Sequence, residues 1–178
     1  MAARTSAGLL LYRVGGGGIE VMLVHPGGPF WARRDAGAWS VPKGEYAPGE
    51  DPRACAEREF AEELGRRAPE GPRTDLGEVR QAGGKRVRAW AVHGDFDATA
   101  VTSNLVDVEW PPQSGERRTF PEVDRAAWFP LAVARTRLLA GQLPLLDRLE
   151  LALASPAAAL GDGGGGTRGG ESGGGPGS

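Results

Sequence analysis

Gly44-Glu-Tyr-Ala-Pro-Gly-Glu50-Asp-Pro-Arg-Ala-Cys-Ala-Glu-Arg58-Glu59-Phe60-Ala-Glu62-Glu63-Leu64-Gly65 places four glutamates and an arginine at fixed spacing around one predicted helix. Asp51-Pro52 opens that helix, the aspartate positioned to cap it and the proline tolerated in its first turn, and Gly65 stops it. At 3.6 residues per turn, Glu59, Glu62 and Glu63 stand at i, i+3 and i+4 and project from one face. Carboxylates that close repel one another, so the cluster weakens its own helix unless a cation neutralises it. Hard oxygen donors of this kind suit Mg2+ or Mn2+, and such ions hold phosphate oxygens in turn. A solvated acidic helix face is the ordinary alternative. Seven fixed residue types at fixed offsets, each with a background of roughly 6–7%, match by chance on the order of 10⁻⁸ per start position, which sets that alternative aside. Phe60 and Leu64 are expected on the flank opposite the carboxylates, anchoring the helix to a core while its acidic edge faces a cleft.

These residues resemble the signature of the Nudix hydrolases, Gly-X5-Glu-X7-Arg-Glu-U-X-Glu-Glu-X-Gly-U, where U is aliphatic. Gly44, Glu50, Arg58, Glu59, Glu62, Glu63 and Gly65 fill every fixed position, and Phe60 stands at the first U as an apolar residue. Arg66 at the last U departs from the pattern and weakens the packing expected just after the helix. The resemblance implies a Mg2+ or Mn2+ site built from Glu59, Glu62 and Glu63 with the Gly44 carbonyl as a further ligand. It implies that Glu62 or Glu63 orients the attacking water, and that Arg58, grouped with them, bridges to Glu50 as structural support. A further carboxylate outside the signature, six residues ahead of a tryptophan that opens a late strand, falls on Glu122 before Trp128, with Asp124 as the fallback.

Composition bounds the rest. A chain of 178 residues supports one domain with a proper core. A net charge of -2 argues against a stable nucleic-acid partner and leaves phosphate affinity to local groups and metal. Cys55 is the single cysteine, so no intrachain disulfide forms, and it is read as a packed thiol rather than a catalytic one. The short apolar run near the N-terminus lacks the features of a secretory signal, and nothing approaches the ~18 apolar residues of a membrane span. A cytoplasmic enzyme is expected. The sequence carries no readable code for an oligomeric state.

Along the chain, Ser6–Val14 and Ile19–His25 read as a hairpin across the glycine turn 15–18, followed by a Pro- and Gly-rich loop and the apolar piece Trp39-Ser-Val41. Strand character returns at Thr74–Gln81, Arg86–Phe96, Leu105–Trp110, Arg117–Phe120 and Trp128-Phe129, and Leu131–Ala140 and Pro144–Ala154 read as helices. The fold class is α+β; the resemblance sharpens it to a mixed β-sheet between helices, an αβα sandwich. Residues 1–154 are expected to form this domain. Residues 155–178, almost all Ala, Gly and scattered polar residues, are expected to be a disordered Gly-rich tail without a catalytic part.

The implied reaction is attack of a metal-activated water on phosphorus in a nucleoside polyphosphate. Trp39-Ser-Val-Pro-Lys43-Gly44 resembles the lead-in of Nudix hydrolases of diadenosine polyphosphates, so a dinucleoside tetraphosphate is the leading small-molecule substrate. The alternatives are a housecleaning nucleoside triphosphate pyrophosphatase, nucleotide-sugar and capped-RNA substrates, and a nucleotide-binding sensor without turnover. Lys43 and Lys85 are the only lysines in a chain that otherwise uses arginine, and the Lys85–Trp90 segment is similar to a strand that carries a phosphate-contacting lysine in those enzymes. Phe30, Trp31, Arg33 and Arg34 read either as a base-stacking platform with a phosphate clamp or as a loop closed over the core. His25, just before Pro26, is read as a loop histidine with a general-base role as the lesser option, and His93 as an ordinary strand residue.

Overall fold

The computed structural model describes residues 4–155, so the tail expected at 155–178 lies outside the described residues beyond Ser155. In chain order the strands are β1 (Thr5–Gly15), β2 (Gly18–Pro26), β3 (Lys43–Glu45), β4 (Arg73–Arg80), β5 (Arg86–His93), β6 (Leu105–Glu109), β7 (Arg117–Pro121) and β8 (Val123–Pro130). The helices are α1 (Pro52–Leu64), α2 (Leu131–Arg137) and α3 (Leu143–Ala154). β1 and β2 form the expected hairpin, and the main sheet runs β4-β5-β1-β2-β8, parallel only between β1 and β5.

Beyond the Tyr12↔Val21 pair, β2 leaves β1 and aligns with β8 from Glu20↔Pro130 to Pro26↔Val123. The gap is filled by 39–45. Ser40 exchanges backbone hydrogen bonds with Val24 at 2.9 and 3.0 Å, the Leu9 N–H donates to the Pro42 carbonyl, and β3 pairs with β1 at Ser6↔Glu45 and Gly8↔Lys43. The apolar piece Trp39–Val41 is therefore a bridging segment rather than a strand, and the regular pairing begins at Lys43.

Side chains of the central strands alternate between two buried layers, as the pleat requires. Ala7, Leu9, Leu11, Met22 and Val24 pack with Phe60 and Leu64 of α1; Leu10, Val21 and Leu23 pack with Leu145, Leu146 and Leu149 of α3. Both faces of the sheet are covered, which explains why β1 and β2 read as near-continuous apolar runs.

The local signals of α1 hold. An Asp51 carboxylate oxygen accepts from the Arg53 N–H at 3.1 Å, and Gly65 caps the C-terminus at φ +79, its N–H donating to the Ala61 carbonyl at 2.8 Å. That left-handed conformation favours glycine, and a Cβ there would also lie 2.7 Å from the Thr102 carbonyl oxygen. The expected division of the helix into opposite flanks does not hold. Glu59 and Glu63 are buried beside Phe60 and Leu64, and Glu62 alone of the three faces solvent. Consecutive residues are only about 100° apart on a helix, so 59 and 63 share the inner face with 60 and 64.

Three further boundaries differ. β5 stops at His93 rather than Phe96, and the short strand expected at Trp128-Phe129 is the end of the eight-residue β8. The helix expected over Leu131–Ala140 ends at Arg137 because Trp39 captures the following backbone. Its N–H donates to the Arg137 carbonyl at 3.0 Å and its carbonyl accepts from Leu139 at 2.8 Å. Among the described residues β6 and β7 pair only with each other, as a separate hairpin.

Phe60 is fully buried between α1 and the sheet. Phe60→Ala is expected to destabilise the protein by about 3–5 kcal/mol, read as a fall in urea midpoint at constant slope; a loss below about 1 kcal/mol would remove Phe60 from the core contact described.

Candidate functional site

The inner face of α1 lies on β3, where one contact sets the spacing. A Cβ at Gly44 would collide with the carboxyl carbon and both oxygens of Glu59, so only glycine lets this carboxylate lie across the strand backbone. Glu59 is 8% exposed and Glu63 4%. A Glu63 oxygen accepts from the Lys43 N–H at 3.3 Å. Arg58 gathers the others: Nη1 donates to Glu59 at 2.6 Å and meets Glu62 at 3.3 Å, and Nη2 donates to Glu50 at 3.2 Å. The expected bridge to Glu50 is present, and a second Glu50 oxygen holds the Ala47 N–H, fixing the loop before α1.

Burial governs the electrostatics. It pushes the Glu63 carboxyl up to about 8, against the pull of Lys43, and raises Glu59 despite Arg58. It also lowers the Lys43 ammonium, with Lys85 adding to that effect. Ionised groups are held here at a cost that water would otherwise remove.

Glu63 and Glu122 line one cavity of about 110 Å3 together with Lys43 and Ser40, walled by Val24 and Pro26. Glu122 thus reaches the signature helix from a distant part of the chain. Asn104, which no local sequence signal marks, makes the connection. Its side-chain amide donates to Glu122 at 2.8 Å, its N–H donates to the Glu62 carbonyl, and its own carbonyl accepts from the Glu122 N–H. A larger hollow of about 570 Å3 lies on the other face of α1, beside the Arg73–Glu57 ion pair.

The remaining expected residues divide. Lys85 stands at the rim, its Nζ 3.5 Å from a Glu45 oxygen at the end of β3. Trp31 is half-buried and carries a guanidinium 5.5 Å from its ring centre, but the cation is Arg34; Arg33 is exposed. Phe30 does not close over the core and instead meets Trp110 edge-on at 5.0 Å. Asp124, the fallback ligand, does not line the cavity; one of its carboxylate oxygens meets His25 at 2.9 Å and Arg125 at 3.6 Å. His25 is fully buried with its other ring nitrogen 2.7 Å from the Arg34 carbonyl, so it ties β2, the 26–38 loop and β8 together and meets no substrate. The Cys55 thiol is buried against the Gly44 and Glu45 carbonyls, and burial pushes it up to about 11, away from the reactive thiolate form.

Whether this set fits a divalent cation is answered by its chemistry. Glu59, Glu62, Glu63 and Glu122 supply hard oxygen donors, two of them desolvated and destabilised as free anions, and Gly44 leaves its backbone open beside Glu59. Among the described residues no three donors converge closely enough to enclose an ion as they stand, since Arg58 and the Lys43 amide hold the carboxylates. The chemistry of these oxygen donors fits a divalent cation.

A mixed sheet lies between helices, with glutamates and an arginine of one helix packed on a strand opened by glycine. The NUDIX domain family matches residues 2–149, and the chain belongs to the Nudix family, as a pyrophosphohydrolase. No curated protein sequence matches it. Solved structures share the fold. The NUDIX domain of Shewanella oneidensis NrtR, complexed with ADP ribose, superposes with TM-score 0.60 at 17% identity, over 86% of this chain and 90% of that one. A C. elegans Ap4A hydrolase binary complex gives 0.56 at 23% identity, over 84% and 98%. A mutT/nudix family protein from Listeria innocua gives 0.56 at 16%, over 90% and 99%.

Cys55 should resist alkylation in the folded protein at pH 8, reacting at least roughly a hundredfold slower than in urea. Equal rates measured by mass spectrometry would show that α1 does not seal this layer.

Proposed function

We propose that the chain is a Mg2+-dependent hydrolase, with Mn2+ as a substitute, that cleaves a pyrophosphate bond in nucleoside polyphosphates, dinucleoside tetraphosphates foremost. The observation that carries this reading is the Glu59 carboxylate lying on Gly44 with Glu63 buried beside it, an arrangement that is unfavourable until a cation neutralises it. Glu59, Glu62, Glu63 and the Gly44 carbonyl would hold the ion, with Glu122 completing the set. A bound divalent cation supplies charge neutralisation on the phosphates and acidifies a water.

The chain's own residues do the rest. Glu63, which shares the cavity with Glu122, accepts the proton of the attacking water, while Glu62 sits on the solvent side of the same turn. Water attacks one phosphorus, the phosphoanhydride P–O bond breaks, and the proton goes to solvent with no covalent intermediate on the protein. Lys43 in the cavity and Lys85 at the rim meet the polyphosphate charge. Arg58, through Glu50, holds α1 against its preceding loop. Trp31 with Arg34, and the exposed Arg33, supply a ring and cations to a nucleotide at the outer loop.

The substrate class rests on the Trp39–Gly44 lead-in, and the likeness in fold to a C. elegans Ap4A hydrolase and to a Shewanella oneidensis NUDIX domain complexed with ADP ribose supports a nucleotide ligand. Product analysis tests it. Diadenosine tetraphosphate with Mg2+ should yield ATP plus AMP, whereas a monophosphate plus pyrophosphate from nucleoside triphosphates would favour the housecleaning reading. Tight binding without turnover would make it a sensor.

Glu59→Gln and Glu63→Gln should each lower kcat by at least about a hundredfold. Folding in metal-free buffer should respond the other way at position 63. Its carboxyl titrates higher folded than unfolded, so ionisation opposes folding as pH rises from the ordinary carboxylate range towards 8. In EDTA at pH 8, Glu63→Gln should melt no lower than the parent, while the rise in Tm on adding Mg2+ shrinks. A variant that melts lower yet keeps its turnover would refute both roles.

A further inference from the structure

Glu122 reaches the cavity from the turn between β7 and β8, and its backbone and side chain are fixed by different means. The backbone is clamped from both sides: the Glu122 N–H donates to the Asn104 carbonyl at 3.0 Å, and its carbonyl accepts from the Gly27 N–H at 2.8 Å. A Cβ at Gly27 would collide with the Pro121 carbonyl oxygen, so the start of the 26–38 loop sits directly on this corner. The carboxylate has a single tether. Among the described residues the Asn104 amide, donating to Oε2 at 2.8 Å, is the one group that hydrogen-bonds it, and Oε1 is left without a protein partner. Glu122 is half-buried and lines the cavity together with Glu63 and Lys43.

The segment that supplies the amide is anchored on α1. The Thr102 N–H donates to the Leu64 carbonyl at 3.3 Å and the Asn104 N–H to the Glu62 carbonyl at 3.0 Å, two of the carbonyls that the end of a helix leaves without an internal partner. The Ser103 hydroxyl accepts from the Val123 N–H at 2.9 Å and lies 3.2 Å from the side-chain oxygen of Asn104, which turns the amide nitrogen toward Glu122. The helix that carries Glu59, Glu62 and Glu63 thus orients, through one asparagine, a carboxylate from far along the chain. The type of donor matters. Arg58 neutralises the carboxylates it holds, whereas an amide orients Glu122 and leaves its charge whole.

We propose that Asn104 is a positioning residue, fixing the Glu122 carboxylate for the cation that the α1 glutamates hold. This rests on the reading of Glu122 as a member of the cation set and adds to it the residue through which that glutamate is oriented. Partners of this kind, one bond removed from the metal, tune affinity without touching it. The tie between residue 104, α1 and Glu122 is otherwise made by backbone groups, so a substitution at 104 keeps it and removes only the amide. Asn104 is itself exposed, and its side chain carries none of the core. Its loss is therefore read in cation binding rather than in stability.

Mn2+ binding to the full chain without substrate, followed by the loss of the free-ion paramagnetic resonance signal, is the direct readout. Glu122→Gln and Asn104→Ala should each raise the Mn2+ dissociation constant about tenfold or more. The double variant should bind no more than about twofold more weakly than Glu122→Gln alone, because the amide acts through that carboxylate. Asn104→Leu, close in size but without a donor, should match Asn104→Ala, and both should melt within a few degrees of the parent in EDTA. In hydrolysis, Asn104→Ala should need more Mg2+ for half-maximal rate while KM for diadenosine tetraphosphate changes little. Unchanged Mn2+ affinity in both position-104 variants, or losses that multiply in the double variant, overturn the positioning role and leave the catalytic reading standing. Melting lowered by more than about 10 °C in EDTA for both variants makes Asn104 a structural strut and overturns it equally. Glu122→Gln without effect on Mn2+ removes Glu122 from the cation set and Asn104 with it, and a parent that binds no Mn2+ overturns the cation reading as a whole.

Discussion

The contact on which the molecule's active half depends is a carboxylate laid across a strand that has no side chain at that point. Glu59 reaches the backbone of β3 only because position 44 is glycine, and from it follow the depth of α1 against the sheet, the burial of Glu63 and the proximity of both to Lys43. Charges so placed are desolvated on both sides, and Arg58 offsets part of the cost by holding three carboxylates in one guanidinium fork. The helix is anchored at the same time by Phe60 and Leu64, one position further round. Apolar packing therefore holds the carboxylates where electrostatics alone would not.

Much of this was readable in the chain. The order of strands and helices, the hairpin of β1 and β2, the cap at Asp51 and the stop at Gly65 follow from alternation and from residues whose conformational preferences are strong. The acidic turn was legible for the same reason, since a local spacing on a helix translates directly into a shared face. What failed was the finer placement. Phe60 and Leu64 do not lie opposite the glutamates because neighbours on a helix are separated by little more than a quarter of a turn. The α2 boundary was lost to Trp39, a partner some hundred positions away whose hydrogen bonds outweigh local helical preference.

Contacts between distant segments were the least accessible. Glu122 could be matched by family resemblance, yet Asn104, which fixes its carboxylate and ties it to the end of α1, carries no pattern of its own. His25, read as a loop histidine, and Asp124, read as a fallback ligand, meet instead in a strut between β2 and β8, with an acceptor oxygen at hydrogen-bond distance from each ring nitrogen. That Arg34 rather than Arg33 lies over Trp31 is a matter of loop geometry that no composition reveals.

The separation of β6 and β7 from the central sheet has a consequence for how such a protein diversifies. Because the two strands pair only with each other, their backbone is self-satisfied, and residues at their tip can be lengthened or replaced without breaking a ladder of the layered core. Changes at the hairpin tip are thus uncoupled from the layers that seat α1 on the sheet, and drift there leaves the packing of Glu59 and Glu63 against β3 as it is.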